Sequence, residues 1–258
     1  MLQGGRLMRL LITLVVVAVL SWALARPLRS HSMLFYLAAV ALAGAGAYLT
    51  IAPPAVLPLR EVAFVVQKGY VAFALFAVVM MMGVLDKRSA VRRRLQPVRA
   101  QLSLLGTILI AGHIGFYAVV YLEILGSVGA SNPFAVAGFT SAVALVVLLV
   151  PLAVTSIDVV RRRLGAMPWK RLQRLAYPFF ALILVHAGCY LAKPVLGGSA
   201  DASLNLAVYA LLLATYGVLR VRRALADRRA SEPAASEDST SGAEPLLELL
   251  ESEYAAIA

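Results

Sequence analysis

Long apolar stretches alternate with short charged segments over the first 220 residues of the chain. A membrane-spanning helix needs about 20 apolar residues, and seven stretches approach or reach that length: about 10–25, 33–51, 62–85, 102–124, 133–154, 175–191 and 204–219. The pattern predicts an all-α, polytopic membrane bundle of about seven helices. Six is the alternative, since the first stretch ends in Ala23-Leu-Ala25 and resembles a cleavable signal peptide.

Positive charge predicts the orientation of these helices. Lys and Arg are concentrated in three segments that alternate with the apolar stretches: residues 86–100, 161–174 and 220–223. Cytoplasmic loops of membrane proteins are enriched in these residues, so we expect an outer N-terminus and a cytoplasmic C-terminus. Cleavage after Ala25 would place the basic loop at 86–100 outside the cytoplasm, against the charge rule, so we expect the first helix to be retained. Arg6 and Arg9 then lie outside, which is an exception to the same rule.

Composition narrows the class of protein. The 258 residues are 61% hydrophobic and 14% charged, with a mean hydropathy of +0.84, far from the balance of a soluble domain. The net charge of +11 does not indicate nucleic-acid binding, because the cations flank apolar stretches. The single cysteine, Cys189, excludes an internal disulfide, a four-cysteine iron–sulfur cluster and a Cys-x-x-Cys-His haem attachment.

The same pattern divides the chain into three parts. Residues 1–61 are predicted to form two N-terminal membrane helices, 62–220 a ligand-binding membrane domain, and 221–258 a cytoplasmic, largely disordered tail. Seven of the 13 acidic residues follow Arg229, and a polar, acidic segment with few aromatic residues is typical of disorder. The multi-pass pattern predicts a location in the plasma or inner membrane.

Two histidines in separate apolar stretches are the candidate functional residues. His113 follows Leu102 by 11 residues and His186 follows Leu175 by 11 residues, so both are predicted about 16 Å from the cytoplasmic side. An imidazole within a membrane is expensive and indicates function. If the two helices pack as neighbours, the imidazoles face each other at one level and can share a ligand.

A haem is the ligand that this pair favours, because neutral imidazole is a common axial ligand of haem iron. Gly112 is expected to give a flat macrocycle room, and Tyr117 and Tyr190 to offer hydroxyls to its propionates or to water. Lys68 either neutralises a propionate or extends to the interface. A proton relay, a structural hydrogen bond and a metal site remain alternatives, although zinc would need three or four ligands.

Several segments resemble the ferric reductase-like transmembrane domain family, and the likeness covers about residues 62–195. Within the family, the similarity is greatest to the haem-bearing membrane subunits of periplasmic methionine sulfoxide reductase systems. The residues that carry the likeness are Leu95–Ser103 leading to Gly112-His113, Leu149–Ser156, Arg161–Gly165, Trp169–Tyr177 and Leu182–His186.

This resemblance implies a membrane electron-transfer subunit in which His113 and His186 are both the metal ligands and the haem b ligands. Family members often have Leu-His-Arg-Leu where this chain has Leu172-Gln-Arg-Leu175, so we expect one haem. The expected electron donor is separate, either quinol or a cytoplasmic flavin reductase, because no Gly-x-Gly-x-x-Gly element for a nucleotide is present.

The expected acceptor is an extracytoplasmic redox protein or ferric iron, and membrane lipids surround the chain. No catalytic residue is assigned. The resemblance leaves open whether the chain is an enzyme, and the expected role is an electron-transfer component of an oxidoreductase without its own NAD(P)H or flavin domain. The alternative function is a haem-free membrane protein, either a small transporter or a structural partner, that keeps only the fold.

Overall fold

The computed structural model describes residues 8–127 and 132–241, and every regular element in these ranges is helical. The long helices are α1 (Arg9–Ala23), α3 (Ser32–Ile51), α4 (Leu57–Gln67), α5 (Tyr70–Met82), α7 (Arg99–Ser127), α8 (Pro133–Val154), α11 (Ala176–Leu196) and α12 (Ala200–Ser241). Short helices join them: α2 (Ala25–Ser30), α6 (Ala90–Leu95), α9 (Asp158–Leu164) and α10 (Ala166–Gln173), with a 3₁₀ turn at Gln96–Val98. The chain divides into two compact units, residues 1–214 and 215–258.

Length and hydropathy make this a multi-pass membrane protein. Five helices in the described ranges are long and apolar enough to cross a bilayer, and there are six if α4 and α5 together count as one span. Many large apolar side chains on these helices are exposed, which lipid rather than water would accommodate. Examples are Ile12, Val15, Val19, Met33, Leu34, Leu37, Val147 and Val150.

The predicted single helix over residues 62–85 is wrong, because the chain breaks there into α4 and α5. The two helices meet at 57°, and the junction consists of Lys68 and Gly69. Gly69 has a φ of +74°, a left-handed conformation that glycine adopts without steric cost. The break leaves the last carbonyl groups of α4 without partners inside their own helix.

Helix α1 is joined to the rest of the bundle at both ends. At its first residue, Arg9 Nη2 lies 2.7 Å from Glu61 Oε1 in α4, and the guanidinium lies 4.3 Å from the centre of the Phe64 ring. At its other end, Arg94 Nε donates to the carbonyl of Trp22 at 2.7 Å. The first apolar stretch is therefore an integral part of the packed structure.

Arginines of the first basic segment also complete helix ends. Arg92 Nη1 donates to the carbonyl of Leu85, just past α5, at 2.7 Å. The last carbonyl groups of a helix lack partners within it, and cations stabilise that end. Some of the charge that predicts the topology therefore also stabilises the bundle.

Two apolar clusters form the core of residues 1–214. The larger contains Val66, Leu75 and Leu102 together with residues of α1 and α3, and the smaller centres on Leu149, Leu152 and Phe179. Phe76 and Ile110 pack against both clusters. These two side chains therefore connect the N-terminal helices to α8 and α11.

The last helix is longer than the sequence suggested. The predicted seventh stretch ends at about 219, but α12 continues to Ser241, through the first residues of the segment expected to be disordered. Alanine, arginine and glutamate are strong helix formers, and Arg223 Nε pairs with Asp227 Oδ1 at 3.2 Å one turn later. The rest of the tail, 242–258, lies outside the described residues.

Glycine packing between α3 and α7 gives a direct test of the fold. A Cβ atom added at Gly112 would lie 2.8 Å from Cβ of Ala43, whereas one added at Gly44 would meet nothing within 4 Å. We expect Gly112→Ala to destabilise the protein by about 1–3 kcal/mol through overpacking. Gly44→Ala should be neutral or slightly stabilising, because alanine favours a helix. Thermal unfolding of the purified variants in detergent measures both, and equal stability would contradict this packing.

Candidate functional site

His113 lies on α7 directly opposite the break between α4 and α5. Its Nδ1 is 2.7 Å from the carbonyl oxygen of Gln67, the last residue of α4. A carbonyl can only accept a hydrogen bond, so Nδ1 carries the proton and donates. The lone pair of His113 is therefore on Nε2.

Gly69 keeps this contact close. A Cβ atom at this position would lie 3.1 Å from Cδ1 of Ile110 and 3.7 Å from Nδ1 of His113. Only glycine combines the left-handed backbone with so small a volume. The break therefore both frees the Gln67 carbonyl and lets α5 approach the imidazole.

His186, on α11, has an equivalent arrangement with α8. Its Nδ1 lies 3.2 Å from the carbonyl oxygen of Gly138 and 3.2 Å from Oγ of Ser141. The Ser141 hydroxyl itself donates to the Gly138 carbonyl at 2.7 Å, so both oxygens present lone pairs to the imidazole. Nδ1 again carries the proton, and the lone pair is on Nε2.

The two histidines thus share one chemical state. Each Nδ1–H is oriented by a backbone carbonyl, and neither Nε2 has a hydrogen-bond partner within the described residues. Metal-binding histidines commonly donate their second ring N–H to a carbonyl or carboxylate, which fixes the tautomer and the ring orientation. Both imidazoles are therefore prepared to bind a metal through Nε2.

The helices that carry the pair are not principal neighbours. Helix α11 packs mainly on α8, and α7 packs mainly on α3 and α5. Ile110 and Ile183, each three residues before its histidine, nevertheless pack in one apolar cluster. A flat ligand between two helices requires this kind of separation, since directly packed helices leave no room for it.

Each predicted tyrosine packs beside its own histidine. The Tyr117 ring centre is 4.8 Å from that of His113, and the Tyr190 ring centre is 4.9 Å from that of His186. Tyr121, which the sequence analysis did not single out, packs edge-on against Tyr190 at 5.4 Å. Tyr121 follows Tyr117 by four residues, and residues four apart share a helix face. This spacing could have identified Tyr121 from the sequence.

Gly112 has a packing role that differs from the predicted one. Its missing side chain accommodates Ala43 of α3, so the space that it leaves is already filled by protein. Gly115 has open space, and Gly188 has only Cδ1 of Leu206 at 4.0 Å. Each follows its histidine by two residues, however, which places it about 200° around the helix and away from the imidazole.

Aromatic side chains fill the space beside the histidines toward the N-terminal ends of α7 and α11. Gly106 and Phe179 each precede a histidine by seven residues and so share its helix face. The Phe76 ring occupies the place of a side chain at Gly106, 2.9 Å from the position of its Cβ. The Phe76 ring also packs edge-on against Phe179, with ring centres 5.4 Å apart. Sequence reasoning missed this cluster because Phe76, Gly106 and Phe179 lie on three different helices.

Gln173, where the family often has histidine, is engaged in a hydrogen-bond network. Its Nε2 donates to Oγ1 of Thr155 at 2.9 Å, and Trp169 Nε1 donates to the Thr155 carbonyl at 3.0 Å. These side chains border a polar cavity of about 180 Å³ that is also lined by Arg99 and Arg161. No cluster of three or more potential metal ligands occurs among the described residues.

The break beside His113 can be tested without any ligand. Alanine at a position with positive φ costs about 1 kcal/mol, and this cost applies equally to Gly69 and to Gly198, whose φ is +80° and which has open space around it. Gly69→Ala also crowds Ile110. We therefore expect Gly69→Ala to lower the Tm of the purified protein more than Gly198→Ala does, and equal losses would show that the contact with α7 is not restrictive.

Comparison with known proteins gives a family-model match for the central part of the chain. Residues 68–184 match the model of the ferric reductase like transmembrane component, a range that includes His113 and ends two residues before His186. An uncharacterized protein of Treponema pallidum (strain Nichols) is 43% identical over 158 residues, which cover 60% of this chain and 43% of that protein. The chain therefore matches under half the length of this relative.

No solved structure matches this chain. The match begins at the break between α4 and α5 and extends through the basic segment at 161–174 into α11. The helices of this region are those that carry the two histidines. Residues 68–184, just under half of the chain, are therefore similar to the ferric reductase like transmembrane component.

Proposed function

We propose that this protein is a membrane b-type cytochrome subunit that transfers electrons to an extracytoplasmic acceptor. The observation that carries the proposal is the matched state of His113 and His186, in which a backbone carbonyl orients each Nδ1–H and Nε2 is left to bind iron. The match of residues 68–184 to the ferric reductase like transmembrane component supports the redox assignment. The function follows from the site together with the family, since a fold alone does not define an activity.

In this proposal Nε2 of His113 and Nε2 of His186 would hold the iron of one haem b. The haem would supply one-electron oxidation and reduction. The Gln67 and Gly138 carbonyls hold the rings in orientation and increase the basicity of the ligating nitrogens. The apolar residues around them exclude water, which influences the reduction potential.

The packing of the cytoplasmic half supports a single haem. Phe76 and Phe179 fill the space two turns from the histidines, and Gln173 bonds to Thr155 rather than offering an imidazole. Electrons must then reach the haem from a separate donor at the cytoplasmic side. The polar cavity at Gln173 is where we expect quinol to approach, and the surrounding basic segments are where a flavin reductase would dock.

The acceptor lies on the opposite side in this proposal. The resemblance to membrane subunits of periplasmic methionine sulfoxide reductase systems favours a periplasmic redox protein, and ferric iron is the second candidate. Tyr117 and Tyr190, one turn outward of the histidines, lie on the path to that side. A location in the plasma or inner membrane follows from this assignment.

We further propose seven spans, with the N-terminus outside. Helix α1 has only 15 residues, about 22 Å of length, but it extends from Glu61 in α4 to Arg94 in the first basic segment. Arg9, one of the two cations on the side proposed to be outside, is paired with Glu61. Arg6 lies outside the described residues.

An absorbance spectrum tests the haem assignment. We expect the purified protein, produced with haem supplied, to show a b-type α band in the reduced-minus-oxidised difference spectrum. His113→Ala and His186→Ala should each abolish or strongly reduce the band, because one imidazole alone retains haem poorly. His31→Ala is the matched control, since His31 is exposed and pairs with Ser30. Absence of the band in the unaltered protein would favour the haem-free alternative.

The number of haems is a separate prediction. We expect a haem-to-protein ratio near one, because the described residues offer one pair of oriented imidazoles. Pyridine haemochrome absorbance, together with quantitative amino-acid analysis, measures this ratio. A ratio near two would mean that a second site exists despite Gln173 and the Phe76–Phe179 contact.

A further inference from the structure

Lys68 lies at the break between α4 and α5, and its position has no explanation within the protein. Its side chain is exposed, and its Nζ lies 5.2 Å from the Tyr117 ring centre and 6.0 Å from that of Phe64. Within the described residues it forms no hydrogen bond or ion pair. Arg9, which contacts the opposite side of this region, has a carboxylate partner in Glu61.

A lysine in an apolar span is costly unless an anion or the interface is within reach. Lys68 follows all 11 residues of α4, about 16 Å of helix from its start, and so lies well inside the span rather than in its first turn. The two aromatic rings compensate only in part, since a cation–π contact contributes about 0.5–2 kcal/mol. An anion near Tyr117 would therefore stabilise the ammonium group.

The same short segment also serves His113. Gln67 provides the carbonyl that binds Nδ1 of His113, and Lys68 is the next residue. The Tyr117 ring lies between the two groups, 4.8 Å from the imidazole ring centre and 5.2 Å from the ammonium. Lys68 is also close enough to His113 to interact with it electrostatically.

We propose that Lys68 binds a carboxylate of the prosthetic group, one of the two propionates of haem b. This inference rests on the proposed function, since it requires a haem on His113. The break would then have two roles, because Gln67 orients the iron ligand and Lys68 anchors the periphery of the macrocycle. The positive charge near the iron stabilises its reduced form and raises the midpoint potential.

A haem with esterified propionates distinguishes propionate binding by Lys68 from any other role of this side chain. Protein produced without haem is reconstituted in detergent with haem b or with haem b dimethyl ester, whose propionates carry no charge. Binding titrations give the dissociation constant, and redox titrations give the midpoint potential. The variants are Lys68→Met, Lys68→Arg and, as the matched control, Lys87→Met, which removes an exposed lysine beyond the other end of α5.

With haem b, we expect Lys68→Met to raise the dissociation constant by about tenfold, in line with the loss of a hydrogen bond to a charged group, and to lower the midpoint potential. With the dimethyl ester, Lys68→Met and the unaltered protein should bind equally. Lys68→Arg should stay near the unaltered protein in both titrations, and so should Lys87→Met.

Three results would overturn the proposal. One is an unchanged dissociation constant for Lys68→Met with haem b, and another is an equal loss with the ester, which would indicate a role other than binding a carboxylate. The third applies even if Lys68→Met does not fold. Equal affinity of the unaltered protein and of Lys68→Arg for haem b and for its ester would contradict a propionate contact. Failure of the unaltered protein to bind either haem would instead reject the proposed function itself.

Discussion

The site depends on backbone carbonyl groups that are available to accept a bond from a histidine ring. In a continuous helix each carbonyl accepts from the amide four residues later, and a second acceptor bond from a side chain is then weaker and less well directed. The break at Lys68 and Gly69 ends α4 at Gln67 and presents its carbonyl to His113 at 2.7 Å. At His186 the helix continues, and the Ser141 hydroxyl reinforces the contact at 3.2 Å. Both imidazoles therefore bond to a backbone carbonyl, but at His113 that carbonyl ends a helix, whereas at His186 a serine hydroxyl adds a second contact.

The sequence was sufficient to predict an all-helical, multi-pass membrane fold, since this fold depends on apolar patterns that a single chain displays. The same patterns singled out His113 and His186 as candidates. It could not identify the groups that orient the histidines, because every residue has a backbone carbonyl and residue type does not reveal which one is free. Lys68 and Gly69 interrupt an apolar stretch, and that interruption was the signal of the break. Single lysines and glycines also occur within unbroken helices, so the apolar pattern alone predicts a continuous helix through Lys68 and Gly69.

The role of Gly112 shows a second limit. A glycine beside a histidine suggested room for a ligand, but consecutive residues of a helix are 100° apart, and Gly112 points at Ala43 of α3. The helix to which a glycine is adjacent depends on tertiary packing, which sequence spacing does not contain. The same reasoning applies to Phe76, which fills the space beside Gly106 from another helix, and to α12, whose length exceeds the apolar stretch that predicted it.

Packing near the N-terminal ends of α7 and α11 bears on the number of haems that the proposal allows. Phe76 packs against Phe179 and Gln173 bonds to Thr155, so the two imidazoles are the candidate iron ligands among the described residues. In the proposed function, electron transfer then needs partners at both faces of the membrane. Low-temperature electron paramagnetic resonance of the oxidised, haem-loaded protein tests the central claim most directly. The account predicts a low-spin ferric signal typical of two neutral imidazole ligands. A high-spin signal, which indicates a five-coordinate iron with one histidine, would contradict it.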